Sequence, residues 1–126
     1  MSNFGFKNNN INAISTGSKV GEIQTLQNAV STTANGTAIY MDGYDTFKIT
    51  EISGTSTSRT IIFEICGIED GTYSTIQGVK LSNYTLATQT ISNNEVWQID
   101  GLKGLWFRCR ISAITGGNVT VKGKVM

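Results

Sequence analysis

The C-terminal segment, residues 105–126, alternates between apolar and polar side chains in two runs separated by Thr115-Gly116-Gly117-Asn118. A period of two is typical of a β-strand with one buried and one solvated face, and paired glycines accept the positive φ angles of a tight turn. We therefore predict a β-hairpin whose apolar face must be covered by a second layer from the rest of the chain. The apolar positions are Leu105, Phe107, Cys109, Ile111 and Ala113 in the first run and Val119, Val121, Gly123 and Val125 in the second.

Short apolar or alternating runs, bounded by turn residues, recur through the preceding sequence at the ~8–12-residue spacing of β-sandwiches and barrels. The predicted strands lie within residues 18–30, 38–41, 45–53, 59–66, 73–81, 84–91 and 95–99. The run Ile61-Ile62-Phe63 is apolar on both faces, which indicates a central strand. The pattern predicts an all-β fold, an antiparallel, jelly-roll-like β-sandwich of about eight or nine short strands, because two sheets can cover each other's apolar faces.

The first 17 residues are polar and rich in asparagine, and their apolar side chains follow no regular period. We therefore divide the chain into an extended N-terminal arm, residues 1–17, and a sandwich domain, residues 18–126. Such a segment has little reason to become ordered alone, so we expect it to become ordered against a neighbouring subunit. Its candidate interface residues are Phe4, Phe6, Ile11 and Ile14.

The composition argues against several classes of partner. Ten Lys and Arg residues against nine Asp and Glu residues give a net charge of +1, which creates no field that would gather nucleic acid. No apolar run is long enough to span a membrane, and no charged segment followed by an apolar run marks a secretory signal. We expect a protein without nucleic-acid or membrane partners, synthesised in the cytoplasm.

Catalysis is not expected from this sequence. Histidine is absent, which removes the commonest general base, and neither cysteine lies in a metal-binding spacing. The adjacent acids Glu69 and Asp70 belong to an Asp-Gly turn and are interpreted as solvated turn residues. Cys109 lies on the apolar phase of its strand and Cys66 on the opposite phase of another, which favours two reduced thiols. No cofactor is predicted.

Two tryptophans, Trp97 and Trp106, fall on the phase opposite the apolar residues of their strands. Three interpretations stay open at this stage. The tryptophans could pack in the core or at a sheet edge, they could form a protein interface, as Trp106 would with Arg108 and Arg110, or they could stack on a sugar together with Tyr73.

The predicted hairpin also has a basic outward row. It consists of Arg108, Arg110, Lys122 and Lys124. Besides improving solubility, such a row could face acidic residues of another copy in a self-complementary ring.

Residues 101–123 resemble the C-terminal hairpin of small β-sandwich proteins encoded among the structural genes of tailed bacteriophages and prophages. The similarity rests on the run from Gly101-Leu102 through Ile111-Ser112-Ala113-Ile114-Thr115-Gly116-Gly117 to Gly123, on Tyr44-Asp45-Thr46-Phe47, and on the Phe63–Tyr73 segment with its Asp-Gly-Thr-Tyr ending. It covers roughly residues 36–126 and involves residues that determine the fold.

This resemblance implies a non-enzymatic structural protein of the virion: a head decoration or head-fibre subunit, or a small tail or neck component. Its expected partners are other copies of itself, a trimer being one form, and the major capsid or tail and neck proteins. The arm and the strand edges would then make the assembly contacts. The alternative is a carbohydrate-binding module of a tail or fibre that recognises the host.

Overall fold

The computed structural model describes residues 20–126, and these residues form two antiparallel β-sheets without a helix. The predicted all-β sandwich is therefore confirmed, with eleven strands in the described part of the chain. The strands are β1 (Gln24–Val30), β2 (Ile39–Tyr40), β3 (Phe47–Ser53), β4 (Ser58–Cys66), β5 (Ser74–Thr75), β6 (Gly78–Lys80), β7 (Thr85–Ala87), β8 (Gln89–Thr90), β9 (Trp97–Ile99), β10 (Trp106–Thr115) and β11 (Val119–Val125).

One sheet has six strands in the order β1-β11-β3-β9-β6-β7, and the other has the order β2-β10-β4-β5 with β8 also paired to β4. As the apolar run in residues 61–63 predicted, β4 is central, with β10 on one side and β5 and β8 on the other. The Glu69-Asp70-Gly71 turn joins β4 to β5, which pair directly. The arm lies outside the described residues.

Aromatic side chains from the two sheets meet in the core. Phe47 of the six-stranded sheet lies against Phe107 of the other, with ring centroids 5.2 Å apart. Phe63 of the five-stranded sheet lies against Trp97, with centroids 5.0 Å apart. Tilted aromatic pairs at such distances contribute beyond the apolar area they bury. The apolar faces of the sheets therefore cover each other, as the alternation required.

The predicted C-terminal hairpin is wrong. β10 pairs with β2 and β4 in one sheet, whereas β11 pairs with β1 and β3 in the other. Gly116 and Gly117 have φ angles of 78° and 146°, so the turn does use glycine conformations, but it carries the chain from one sheet to the facing sheet. Both strands direct their apolar residues into the same core. Two strands paired in one sheet and two strands in facing sheets show the same alternation, so the sequence pattern could not distinguish them.

A second connection of the same kind lies beside it, between β3 and β4. The neighbouring backbones are joined by hydrogen bonds from Ser56 N to Asn118 O and from Thr57 N to Thr115 O, each 2.9 Å. Side chains add further bonds, because Asn118 N donates to Thr55 Oγ1 at 3.1 Å and Thr55 N donates to Asn118 Oδ1 at 3.2 Å. The two stacked connections fix the ends of both sheets relative to each other.

The strand count exceeds the prediction because two predicted strands cross between sheets. Residues 73–81 divide into β5 and β6, and residues 84–91 divide into β7 and β8, with one member of each pair in each sheet. A single alternating run therefore does not imply a single sheet. Between residues 20 and 126, no helix has the length and apolar character needed to cross a membrane.

Both cysteines are free thiols, as predicted. Cys109 is fully buried in the core, where burial raises the pKa of its thiol, whereas Cys66 is half-buried on the opposite face of the five-stranded sheet. The predicted alternation in β10 fails at its end, because a β-bulge between Ile111 and Ala113 shifts the register and leaves Ala113 exposed.

Candidate functional site

The outer face of the five-stranded sheet carries aromatic and charged side chains at neighbouring register positions. Trp106 of β10 stands between Tyr40 of β2 and Cys66 of β4, and the next outward position places Arg108 beside Glu64. One step further along β10 lies Arg110. We name this surface the Arg–aromatic face and define it by Tyr40, Glu64, Tyr73, Trp106, Arg108 and Arg110. Trp106, Arg108 and Arg110 are interface candidates from the sequence, and the structure brings these three together.

Glu64 is the centre of the Arg–aromatic face. Its Oε1 accepts a hydrogen bond from Arg108 Nε and its Oε2 accepts one from Arg110 Nε, each 2.9 Å long. The Glu64 side chain is 6% exposed, while those of Arg108 and Arg110 are 17% and 34% exposed. A carboxylate bound by two guanidinium groups is held in one orientation and holds them in turn. Two positive charges against one negative charge leave the face with a net positive charge.

Two aromatic contacts complete this face. The Arg108 guanidinium carbon lies 3.8 Å from the centroid of the Tyr73 ring, a cation–π contact, and the Tyr73 hydroxyl donates to Glu69 O at 2.7 Å. Burial raises the pKa of Tyr73, with the positive charge of Arg108 acting against that change. Tyr40 and Trp106 are half-buried, with ring centroids 5.2 Å apart. Arginine and aromatic groups are thus presented to solvent in fixed positions.

The structure overturns the proposed role of Trp97 in stacking on a sugar. Trp97 is only 2% exposed, and it is Val96, at 37% exposure, that points outward. In this strand Trp97 and Ile99 face the core. The prediction took Val96 as the inward residue and therefore placed Trp97 on the outward face. Tyr73 and Trp106, the other two sugar-binding candidates, do lie on the Arg–aromatic face.

The predicted basic row does not exist as one surface. Arg108 and Arg110 lie on the outer side of the five-stranded sheet, whereas Lys122 and Lys124 belong to the six-stranded sheet. The acid opposite the arginines within the described residues is Glu64 of the same chain. Sequence analysis missed Glu64 as a functional residue. The signal available in the sequence was an acidic residue in an otherwise apolar central strand. An acidic side chain is seldom buried unless it is paired, so its position indicated a basic partner.

A second polar cluster lies in a cleft of about 260 Å³ at the open edge of the sandwich. Glu95 Oε1 accepts hydrogen bonds from Thr90 Oγ1 and Trp97 Nε1, and its Oε2 lies 3.1 Å from Lys80 Nζ. Burial opposes the ionised form, but the hydrogen bonds from Thr90, Trp97 and Lys80 outweigh it and hold the pKa of Glu95 below its ordinary value. This carboxylate is therefore engaged in structural contacts.

The arm candidates Phe4, Phe6, Ile11 and Ile14 lie outside the described residues. Within residues 20–126, no group of three or more His, Cys, Asp and Glu side chains is close enough to hold a metal ion. Glu69 and Asp70 are exposed in the turn before β5. The carboxylates of Glu64 and Glu95 are each bonded to neighbours within the fold.

Comparison with known proteins places this fold among prophage proteins. Residues 5–125 match the XepA family model. The SPbeta prophage-derived protein YomS of Bacillus subtilis (strain 168) is 37% identical over 78 residues, which are 60% of this chain and 63% of YomS. The crystal structure of YomS superposes with a TM-score of 0.74 at 30% identity, covering 82% of this chain and 90% of that one.

A second solved structure, that of the PBSX exported protein XepA, also superposes with a TM-score of 0.74, at 27% identity. The match covers 82% of this chain but only 37% of XepA, so the chain corresponds to about a third of that larger relative.

Proposed function

Because this chain belongs to the XepA family and its relatives are prophage-derived, we propose that it is a non-enzymatic structural protein of a phage particle. In this proposal it assembles with other copies of itself and decorates the head or an adjoining part of the virion. The sequence resemblance to small virion sandwich proteins supports this assignment. The PBSX relative is an exported protein, which suits a product that works outside the cytoplasm.

The observation that carries the proposal is the Arg–aromatic face. Trp, Tyr and Arg are the residues most enriched among the side chains that dominate protein interfaces. Here Glu64 fixes Arg108 and Arg110, and Tyr73 covers one guanidinium, so the face loses little side-chain entropy when a partner binds. We assign this face to contacts between subunits and the arm, residues 1–17, to anchoring on the particle.

The first test measures assembly in solution. Light scattering of the full chain should give an oligomer, and Trp106→Ala should weaken association by about thirtyfold or more if Trp106 is an interface anchor. Tyr84→Ala is the matched control, because Tyr84 is 75% exposed and lies outside the Arg–aromatic face. A monomeric wild-type chain would contradict the assembly proposal.

The second test locates the protein. Mass spectrometry and immunogold labelling of purified phage particles should find the chain on the particle, at the head. A chain without residues 1–17 should form the same oligomer but fail to attach. Particles that lack the protein, or that bind the truncated chain equally well, would contradict the virion role or the anchoring role respectively.

Carbohydrate binding is the second candidate, favoured by the partly exposed Tyr40–Trp106 ring pair. Flat aromatic surfaces stack on sugar rings, and Tyr73 lies on the same face. A glycan array with wild type, Trp106→Ala and Tyr84→Ala would separate the two functions. Specific binding that only Trp106→Ala abolishes would favour host recognition over assembly.

A further inference from the structure

A polar cavity of about 490 Å³ lies at the end of the Arg–aromatic face, where the residue 31–37 loop runs beside β10. It is lined by Thr33, Ala34, Asn35, Arg110, Ile111 and Ser112. None of the lining residues in the described chain is acidic, whereas one is a cation and three carry hydroxyl or amide groups. The cavity therefore offers hydrogen-bond donors around a positive charge.

Arg110 is held in a defined position while its outer donors stay available. Its Nε donates to Glu64 Oε2 at 2.9 Å, and its side chain is 34% exposed to solvent. Within residues 20–126, its terminal Nη1 and Nη2 groups make no hydrogen bond. A guanidinium offers these two groups as a planar fork that matches the spacing of oxyanion oxygens.

The loop wall of the cavity is fixed by backbone bonds. Ala34 and Ile111 exchange hydrogen bonds of 3.1 and 2.8 Å. The buried Gln27 side chain donates from Nε2 to Ala34 O at 3.2 Å and to Cys109 O at 2.7 Å. The loop is thus tied both to β10 and to the facing sheet, so the cavity is present before any ligand binds.

The wall formed by β10 contains the β-bulge between Ile111 and Ala113. Ser112 is the extra residue there and has no partner in the register with β4, and it lines the cavity. Bulges often occur beside binding sites because they redirect a side chain and end regular pairing. Arg110, Ser112 and the loop residues Thr33 and Asn35 line one space.

We propose that this cavity binds an anionic saccharide, with the Arg110 fork on its oxyanion and the polar groups of Thr33, Asn35 and Ser112 on its hydroxyls. A bare phosphate ion would fill only a small part of the cavity, which favours a larger hydroxylated ligand over an inorganic anion. The oxyanion can be a phosphate or a carboxylate, because both present paired oxygens to a guanidinium. This site does not depend on where in a phage particle the chain resides.

The test is calorimetric titration of the full chain with glucose 6-phosphate, glucuronate, glucose and inorganic phosphate. At least one of the two anionic sugars should bind saturably, and glucose should bind at least about tenfold more weakly, since it lacks the oxyanion that accepts charge-assisted hydrogen bonds from Arg110. Comparison of the two anionic sugars distinguishes phosphate from carboxylate recognition. Inorganic phosphate should bind more weakly than the better sugar.

Matched variants separate this site from general positive charge. Arg110→Gln should weaken binding of the better sugar about tenfold or more. Lys124→Gln removes the same charge from the six-stranded sheet and should change nothing. Because Arg110→Gln also disturbs Glu64, Ser112→Ala and Thr33→Ala provide variants that leave the ion pairs intact, and each should weaken binding about threefold.

Absence of saturable binding by both anionic sugars would overturn the proposal, as would equal losses in Arg110→Gln and Lys124→Gln. The mass of each variant in solution is measured alongside. Unchanged mass with lost sugar binding would locate the defect in the cavity and leave the assembly proposal standing.

Discussion

Arg108 and Arg110 of β10 and Lys122 and Lys124 of β11 occupy equivalent outward positions in two alternating strands, yet their environments differ. The arginines share the buried carboxylate of Glu64. The lysines lie on the other sheet, where the described residues offer them no ion pair, although Glu51 is the register partner of Lys122. An outward position therefore does not define a side chain's role, because residues of the neighbouring strand determine whether its charge forms an ion pair or is solvated.

The largest effect is expected from Glu64→Gln. The substitution keeps the shape but leaves Arg108 and Arg110 close together without their shared anion, so the free energy of unfolding should fall by about 2–4 kcal/mol. Urea denaturation measures the loss. Glu51→Gln is the control on the six-stranded sheet and should cost less than about 0.5 kcal/mol. Equal losses for the two variants would show that the sheet faces do not differ.

A smaller loss is expected from Tyr73→Leu, which removes the aromatic ring beneath the Arg108 guanidinium. The expected loss is about 1–2 kcal/mol in the same urea experiment, from the cation–π contact and the hydrogen bond of the Tyr73 hydroxyl to Glu69 O. Tyr84→Leu, at a 75% exposed tyrosine, should stay within about 0.5 kcal/mol of wild type. If Tyr73→Leu were equally neutral, the aromatic cover would contribute nothing to the Arg–aromatic face.

A pH-dependent effect of about 1 kcal/mol should distinguish Glu95 from the solvated acids. The folded chain holds the pKa of Glu95 below its ordinary value of 4.5, so the unfolded chain binds the proton more readily. The stabilisation is thus complete above that ordinary value and is lost as the pH falls through the folded pKa. Glu95→Gln should have a lower free energy of unfolding than wild type at about pH 7, and the two free energies should converge in acid. A constant difference across this range would contradict the interpretation.

The smallest expected effect is a difference in chemical labelling between the two thiols. Native protein treated with a maleimide should be labelled at the half-buried Cys66 and not at the fully buried Cys109, and urea should expose both. Intact-mass spectrometry counts the labels. Labelling of Cys109 in the native chain would show that the core around β10 opens readily.

Much of the fold was predictable from local patterns. Residues 45–53 and 59–66 form strands close to their predicted bounds, because each combines a period of two with turn residues at its ends. The assignment of neighbours failed at Thr115-Gly116-Gly117-Asn118. Paired strands and strands in facing sheets bury the same phase, so the alternation could not separate a hairpin from a connection between sheets.

The candidate site was predictable only in part. Trp106, Arg108 and Arg110 followed from their outward phase, since outward Trp and Arg side chains are frequent at interfaces. Glu64 lies beside Arg108 because β10 pairs with β4, and the turn after β4 brings Tyr73 to the same face. These residues are far from β10 in the sequence. Trp97 was misplaced because Val96 suggested the wrong phase in a strand of three residues, too short for a period to be reliable.

The sequence by itself determined that this protein is all-β, which side chains of β11 and of most of β10 face inward, and that the Gly116-Gly117 turn takes positive φ angles, because these properties depend on the backbone and on neighbours within a few residues. Only the tertiary structure decided which strands share a sheet, that one carboxylate serves both Arg108 and Arg110, and that Arg110 opens onto a cavity beside residues 31–37. These features depend on pairing between distant segments, and cross-strand partners are selected by packing of the whole sandwich.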